Sequence, residues 1–245
     1  MASLRAQPAP GQGPDRSTSK KNRNPMPAEL PYSVRRSDRA RRVRVLVDPH
    51  GCVEVVLPRR SPASAAPAAI AELRPWIEDR LAAGQAVRDV VAARGSTVPY
   101  LGRDLTLRPQ PGRTRVHRRG DELLVPSDRA QANEAIERWY RRQARDEIAP
   151  RLDHAVETLQ ASYCKLTIRN QRTRWGSCST SGAMSFNWRL LLAPEPVLDY
   201  VVWHEACHLR VMDHSPRFWH LVAKHCPDYA QHRRWLTAQG STLVL

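Results

Sequence analysis

The segment "VVWHEACHLRVMDHSPRFW", Val201 to Trp219, sets three histidines and a glutamate in an otherwise largely apolar run. His204 and His208 are four residues apart, so a helix projects both imidazoles from one side. Two such nitrogens reach one ion at about 2.0–2.1 Å. Glu205, next to the first histidine, sits near that ion without having to ligate it and can take a proton from an activated water. This is the H-E-x-x-H arrangement, two metal ligands and a general base. A catalytic zinc takes three protein ligands and keeps one position open. His214, six residues beyond His208, is the candidate third ligand. A continuing helix would carry His214 away from the other two, so the chain must leave the helix between them. Metzincins place glycine at the third residue after the second histidine, but here that position is Val211. The turn is therefore assigned to Asp213, a residue type that tolerates irregular backbone.

The bland reading is that such polar residues are ordinary helix positions, since H-E-x-x-H arises by chance in roughly one chain in a hundred. Against it, "VLDYVVW" reads as a buried helix, and a glutamate buried between imidazoles is costly without a compensating role. Cys207 lies about 100° around the helix from His208 and reads as a small core residue. His220, His225 and His232 lack ligand spacing and are expected at the solvent. Trp203, Trp219 and Trp235 are expected in the core. Imidazoles suit zinc, but also iron, copper and nickel.

The elements that must position these residues follow from periodicity and turn signals. "RVRVLVDPHGCVEVVLP" predicts a β-hairpin about Asp48-Pro49-His50-Gly51. "AIAELRPWIEDRLAAGQAVRDVVAARG" predicts helix, interrupted near Gly84. "VPYLGRDLTLRPQPGRTRVHRRGDELLVP" predicts two or three short strands. A long amphipathic helix follows from Gln131 to about Leu159, with Pro150 as a kink point. "CKLTIRN" is a strand. "RWGSCSTSGAMSFNWRLLLAP" is a loop, a turn at Ser181-Gly182 and a strand over 183–190. The histidine helix begins near Glu195 after Pro194 and runs through both histidines. Ser215-Pro216 starts another helix, Cys226-Pro227 ends it, and a last short helix ends near Gly240. These assignments give an α+β chain: a basic disordered tail over 1–31, a β-rich N-terminal part over 32–128 and a core over 129–245.

Of 39 Lys+Arg against 24 Asp+Glu in 245 residues, residues 1–60 hold 13 and 5, over half of the net +15. A basic tail with a charged strand face accounts for this, and a nucleic-acid footprint through the N-terminal region is the other reading. No apolar run is long enough to span a membrane, and no apolar signal segment opens the chain. Five widely spaced cysteines without a C-x-x-C pair fit free thiols in a reducing cytoplasm.

"RWGSCSTSGAMSFNWRLLLAP", "VLDYVVWHEACHLRVMDHSPRFW" and "CPDYAQHRRWL" together resemble the YgjP-like metallopeptidases, a bacterial group related to SprT-like and minigluzincin-type zinc proteases. The resemblance spans Tyr32 to Leu236. It implies a zincin-like core with an active-site helix and a C-terminal helical region. It further implies Zn2+ held by His204, His208 and His214, Glu205 as the catalytic glutamate, and a peptide or protein substrate. A strand over 183–190 beside the site would permit an extended substrate to add to it. Arg174, Arg189 and Tyr229 are candidates for orienting an anionic group or stabilising oxyanion charge, with structural ion pairing equally open for the arginines. Two further functions stay open: a metal-dependent nucleoside triphosphate (phosphoanhydride) hydrolase, and a nucleic-acid-associated protease tethered by the basic region. The sequence does not specify an oligomeric state.

Overall fold

The computed structural model describes residues 30–48, 51–171 and 173–245. The expected tail over 1–31 falls almost wholly outside them, as do Pro49 and His50 of the expected turn. The chain forms two compact units that divide between Ala93 and Arg94.

In the first unit, β2 (Arg44–Val47) and β3 (Val53–Pro58) pair antiparallel as the hairpin pattern predicts, and β1 (Tyr32–Ser37) adds to β3 in parallel. Val45, Val53, Val55 and Leu57 cluster with Ala66, Ile70 and Ile77 of α1 (Ala65–Ala93). That helix runs unbroken through Gly84, where an interruption was expected. A single helical glycine costs about 1 kcal/mol, too little to stop a helix in which ten of 29 residues are alanine.

The second unit opens with β4 (Thr97–Tyr100), β5 (Arg103–Gln110), β6 (His117–Arg119) and β7 (Glu122–Pro126), one strand more than the pattern suggests. They form a sheet of order β4-β5-β7-β6. Leu101 and Gly102, both at positive φ (52° and 84°), turn β4 into β5, the dihedral requirement of a tight hairpin turn. Asp128 caps α2 (Arg129–Thr158) by accepting from Gln131 N–H at 2.8 Å. The buried face of α2 presents Trp139, Tyr140, Ile148 and Leu152. A second sheet comprises β8 (Lys165–Arg169), β9 (Gly176–Cys178) and β10 (Ala183–Asn187) in the order β8-β10-β9. β8 is parallel to β10 and β9 antiparallel to it. The strand expected over 183–190 stops at Asn187, whose side chain accepts from Arg189 N–H at 3.1 Å and turns residues 188–192 into a 3-10 segment. α3 (Glu195–Cys207), α4 (Pro216–His225) and α5 (Tyr229–Gln239) complete the unit. The architecture is mixed α+β, strands first and helices last. No helix among the described residues is long and apolar enough to cross a membrane.

Candidate metal centre

α3 starts where Pro194-Glu195-Pro196 allows, and it carries Tyr200, His204, Glu205 and Cys207 in complete burial. The helix is expected to run through His208, but α3 ends at Cys207, and His208 is its C-cap with φ −65° and ψ −19°. The hydrogen bonds there tighten to three-residue spacing: His208 N to Glu205 O, Leu209 N to Ala206 O and Arg210 N to Cys207 O. His208 therefore keeps helical backbone geometry while the chain begins to turn away directly after it. Asp213 sits in the return, its Oδ1 accepting from Ser215 N–H at 3.1 Å, and Ser215-Pro216 then opens α4.

This return brings His214 back over α3. One ligand atom from each of His204, His208 and His214 lies within 4.8 Å of the others. The His204 and His214 Nε2 atoms are 3.1 Å apart, close to the roughly 3.3 Å between two nitrogens on one tetrahedral zinc. His208 Nδ1 lies 3.0 Å from Val211 O. A carbonyl only accepts, so Nδ1 holds the proton and Nε2 keeps its lone pair. His208 Nε2 is buried and has no hydrogen-bond partner among the described residues. Burial pushes all three imidazoles below the usual histidine range: His204 well below it, His208 to about 4, and His214 down with help from the Arg233 charge. They are neutral at neutral pH, the form that binds a metal. Three neutral imidazoles converging at this separation fit a divalent ion of the zinc type.

Phe218 of α4 holds the cluster together. Its ring stacks on His208 at 4.4 Å and meets His204 and His214 edge-on, each at 4.9 Å. Trp219 stacks on His214 at 5.6 Å, Tyr229 stacks on Trp219 at 5.3 Å, and the Arg233 guanidinium lies 5.0 Å from the Trp219 ring. Trp219, Trp203 and Trp235 are half-buried against the core, and Cys207 is fully buried. His225 is half-buried rather than solvated, stacked 4.5 Å from Trp203.

Glu205 is fully buried beside β9. A Cβ on Gly176 would lie 2.6 Å from Glu205 Cγ and 2.7 Å from its Oε1, so the bare glycine backbone makes room for the carboxylate. β9 falls within the segment read as loop, and three residues of Gly-Ser-Cys give little strand propensity to detect. The structure also changes which strand lies at the sheet edge. β10 is flanked on both sides, whereas β9 is an edge strand adjacent to Glu205. Trp175 O accepts from Asn187 N and Ser179 N donates to Ala183 O. In an antiparallel ladder the intervening Cys178 backbone therefore turns away from β10. Arg174 lines the opposite face of this sheet with Lys165 and Arg169. Arg189 lies over the Trp188 ring at 4.8 Å and donates to Asn170 Oδ1.

Three histidines closed around a helix end beside a buried glutamate make a candidate metal centre in a mixed α+β fold. The family described as "YgjP-like, metallopeptidase domain" matches residues 41–239. The chain belongs to that family. Among solved structures, the crystal structure of the metallopeptidase zymogen of Pyrococcus abyssi abylysin is 25% identical, with a TM-score of 0.34, over 40% of this chain and 99% of that one. No curated protein matches the chain.

Proposed function

We propose that this chain is a zinc-dependent peptidase in which His204, His208 and His214 hold the metal and Glu205 is the general base. The observation that carries the reading is the 3.1 Å approach of His204 and His214 Nε2, with His208 Nε2 aimed into the same space. Zinc bound there supplies Lewis acidity that polarises the scissile carbonyl and lowers the pKa of water. Glu205 takes the proton of the attacking water and passes it to the leaving amine. Val211 O fixes the His208 tautomer, and Phe218 fixes the ring planes.

Of the five cysteines, Cys52 and Cys164 are exposed and unbridged, which favours a reducing, cytoplasmic setting for the enzyme.

The test pairs metal analysis with Glu205→Gln on the full chain. The expected outcome is about one zinc per chain in both proteins and loss of chelator-sensitive peptide cleavage in the variant. Full activity of Glu205→Gln would show the mechanism to be wrong. Cleavage of nucleoside triphosphates but of no peptide would replace the peptidase reading with a phosphoanhydride hydrolase.

A further inference from the structure

We propose that Arg233 anchors a substrate carboxylate at the mouth of the metal centre, so that peptides with an acidic group close to the scissile bond are preferred. The inference rests on the peptidase reading above. Burial defines the mouth. His204 and His208 are buried while His214 is exposed, so the space between the three rings opens on the His214 side. Arg233, itself exposed, stands on that side.

Stacked rings tie Arg233 to the histidine. Trp219 stacks on His214 at 5.6 Å, and the Arg233 guanidinium lies 5.0 Å from the centre of the Trp219 ring. Tyr229, one helical turn before Arg233 on α5, stacks on the same ring at 5.3 Å. The two legs through Trp219 keep the guanidinium within about 11 Å of the His214 ring, the reach of about three extended residues. Its charge acts on two of the ligand rings. Burial, the neighbouring imidazoles and then Arg233 depress His204, and burial and then Arg233 depress His214.

No carboxylate answers this charge. Among the described residues Arg233 makes no ion pair, and neither does Asp213, the acidic residue next to His214 in the chain. Asp213 Oδ1 instead accepts from Ser215 N–H. Arg174 and Arg189, candidates by residue type, lie elsewhere, on the far face of the sheet and over Trp188. A guanidinium without a counter-charge repels a nearby divalent cation, and an anion between the two relieves that repulsion. A peptide carboxylate is such an anion, and a planar guanidinium can bind both of its oxygens. An Asp or Glu side chain and a C-terminal carboxylate present the same group.

The test uses the full chain with zinc. The parent substrate is an uncharged, C-terminally amidated peptide that the protein cuts, with the cut mapped. One set of derivatives carries Glu or Lys in place of Gln within three residues of the cut. A second set ends in a free carboxylate at the same distances. kcat and KM are measured for wild type, Arg233→Gln and Arg233→Lys at low and high salt, with zinc content and melting temperature for each protein. Binding is followed by fluorescence anisotropy with Glu205→Gln, alone and combined with Arg233→Gln. The best-placed carboxylate is expected to raise kcat/KM about three- to tenfold over the parent at low salt, mainly through KM, and less at high salt. Arg233→Gln should bring that ratio to about one at unchanged zinc content, and Arg233→Lys should keep part of it. A gain from Glu alone assigns the anchor to side chains, and a gain from free termini alone assigns it to chain ends. Equal handling of charged and neutral peptides, or a preference that survives Arg233→Gln, overturns the anchor. So does loss of zinc from Arg233→Gln with equal losses on every peptide, the signature of a residue that only clasps Trp219. If no peptide is cut, carboxylate-selective binding that depends on Arg233 upholds the anchor and overturns the peptidase reading alone.

Discussion

Gly176 and Glu205 form the tightest constraint around the proposed catalytic group. A methyl group at 176 needs space already taken by the glutamate Cγ and Oε1, at 2.6 and 2.7 Å. Gly176→Ala should displace the carboxylate, the strand or both, at a cost of about 1–3 kcal/mol. Because the histidines lie elsewhere, the expected result is peptide cleavage reduced at least tenfold at unchanged zinc content, read from kcat/KM and metal analysis. Loss of zinc instead would mean that the glycine supports the whole cluster. His214→Ala probes the other side of the site. It should weaken zinc retention by more than about a hundredfold, beyond the range seen for groups that only support a ligand. Competition against a chelator measures this, and unchanged affinity rules out His214 as a ligand. At this scale the sequence was most legible where geometry is local. The His204–His208 spacing and the need for a turn before His214 follow from helix geometry alone. Gly176 was not legible as the neighbour of Glu205, since 29 positions separate them and only the fold joins them.

Among the elements, α4 shows how a short helix can organise a site to which it contributes no histidine ligand. Its Phe218 touches all three imidazoles, and Phe218 itself has no exposed surface. Phe218→Ala should cost about 3–5 kcal/mol of stability and loosen the ring planes that converge on the metal. Thermal melts with and without zinc measure both effects. The zinc-dependent rise in melting temperature should shrink relative to wild type, and an unchanged rise would limit Phe218 to a core role. Ser215-Pro216 announced the start of α4, because serine and proline suit the first positions of a helix. Pro194 did the same for α3. Strand ends were harder to read. β10 stops at Asn187 because its side chain captures the Arg189 N–H, a choice between two backbone paths that apolar "WRLLL" does not reveal. β9 is too short for any period to emerge, although its Gly176 lies against Glu205.

For the whole molecule, the question is how much chain the site needs in order to fold. The strands of 97–126 and the helices around the metal share one buried cluster, from Val98 to Leu243. Tyr100 packs on Trp139 and Tyr140 of α2 at 5.4 and 6.1 Å, and Tyr140 packs on Trp188 at 5.8 Å. Arg94 closes the same unit by donating to Val244 O at 2.5 Å and Thr242 O at 2.8 Å. The unit made by residues 30–93 has its own core of Val55, Leu57, Ile70 and Ile77. Sequence pattern alone suggested a start at residue 129, where long helical periodicity begins, because periodicity reports elements and not which elements share a core. Two fragments decide between these starts. Residues 94–245 should melt cooperatively and bind zinc as tightly as the full chain. Residues 129–245 would expose the Trp139 and Tyr140 rings that Tyr100 of β4 packs against, and should show a broad transition and bind a hydrophobic dye. Calorimetry, dye fluorescence and zinc competition read all three properties. If 129–245 melts as sharply as 94–245 and holds zinc equally well, the four-strand sheet is dispensable to the site.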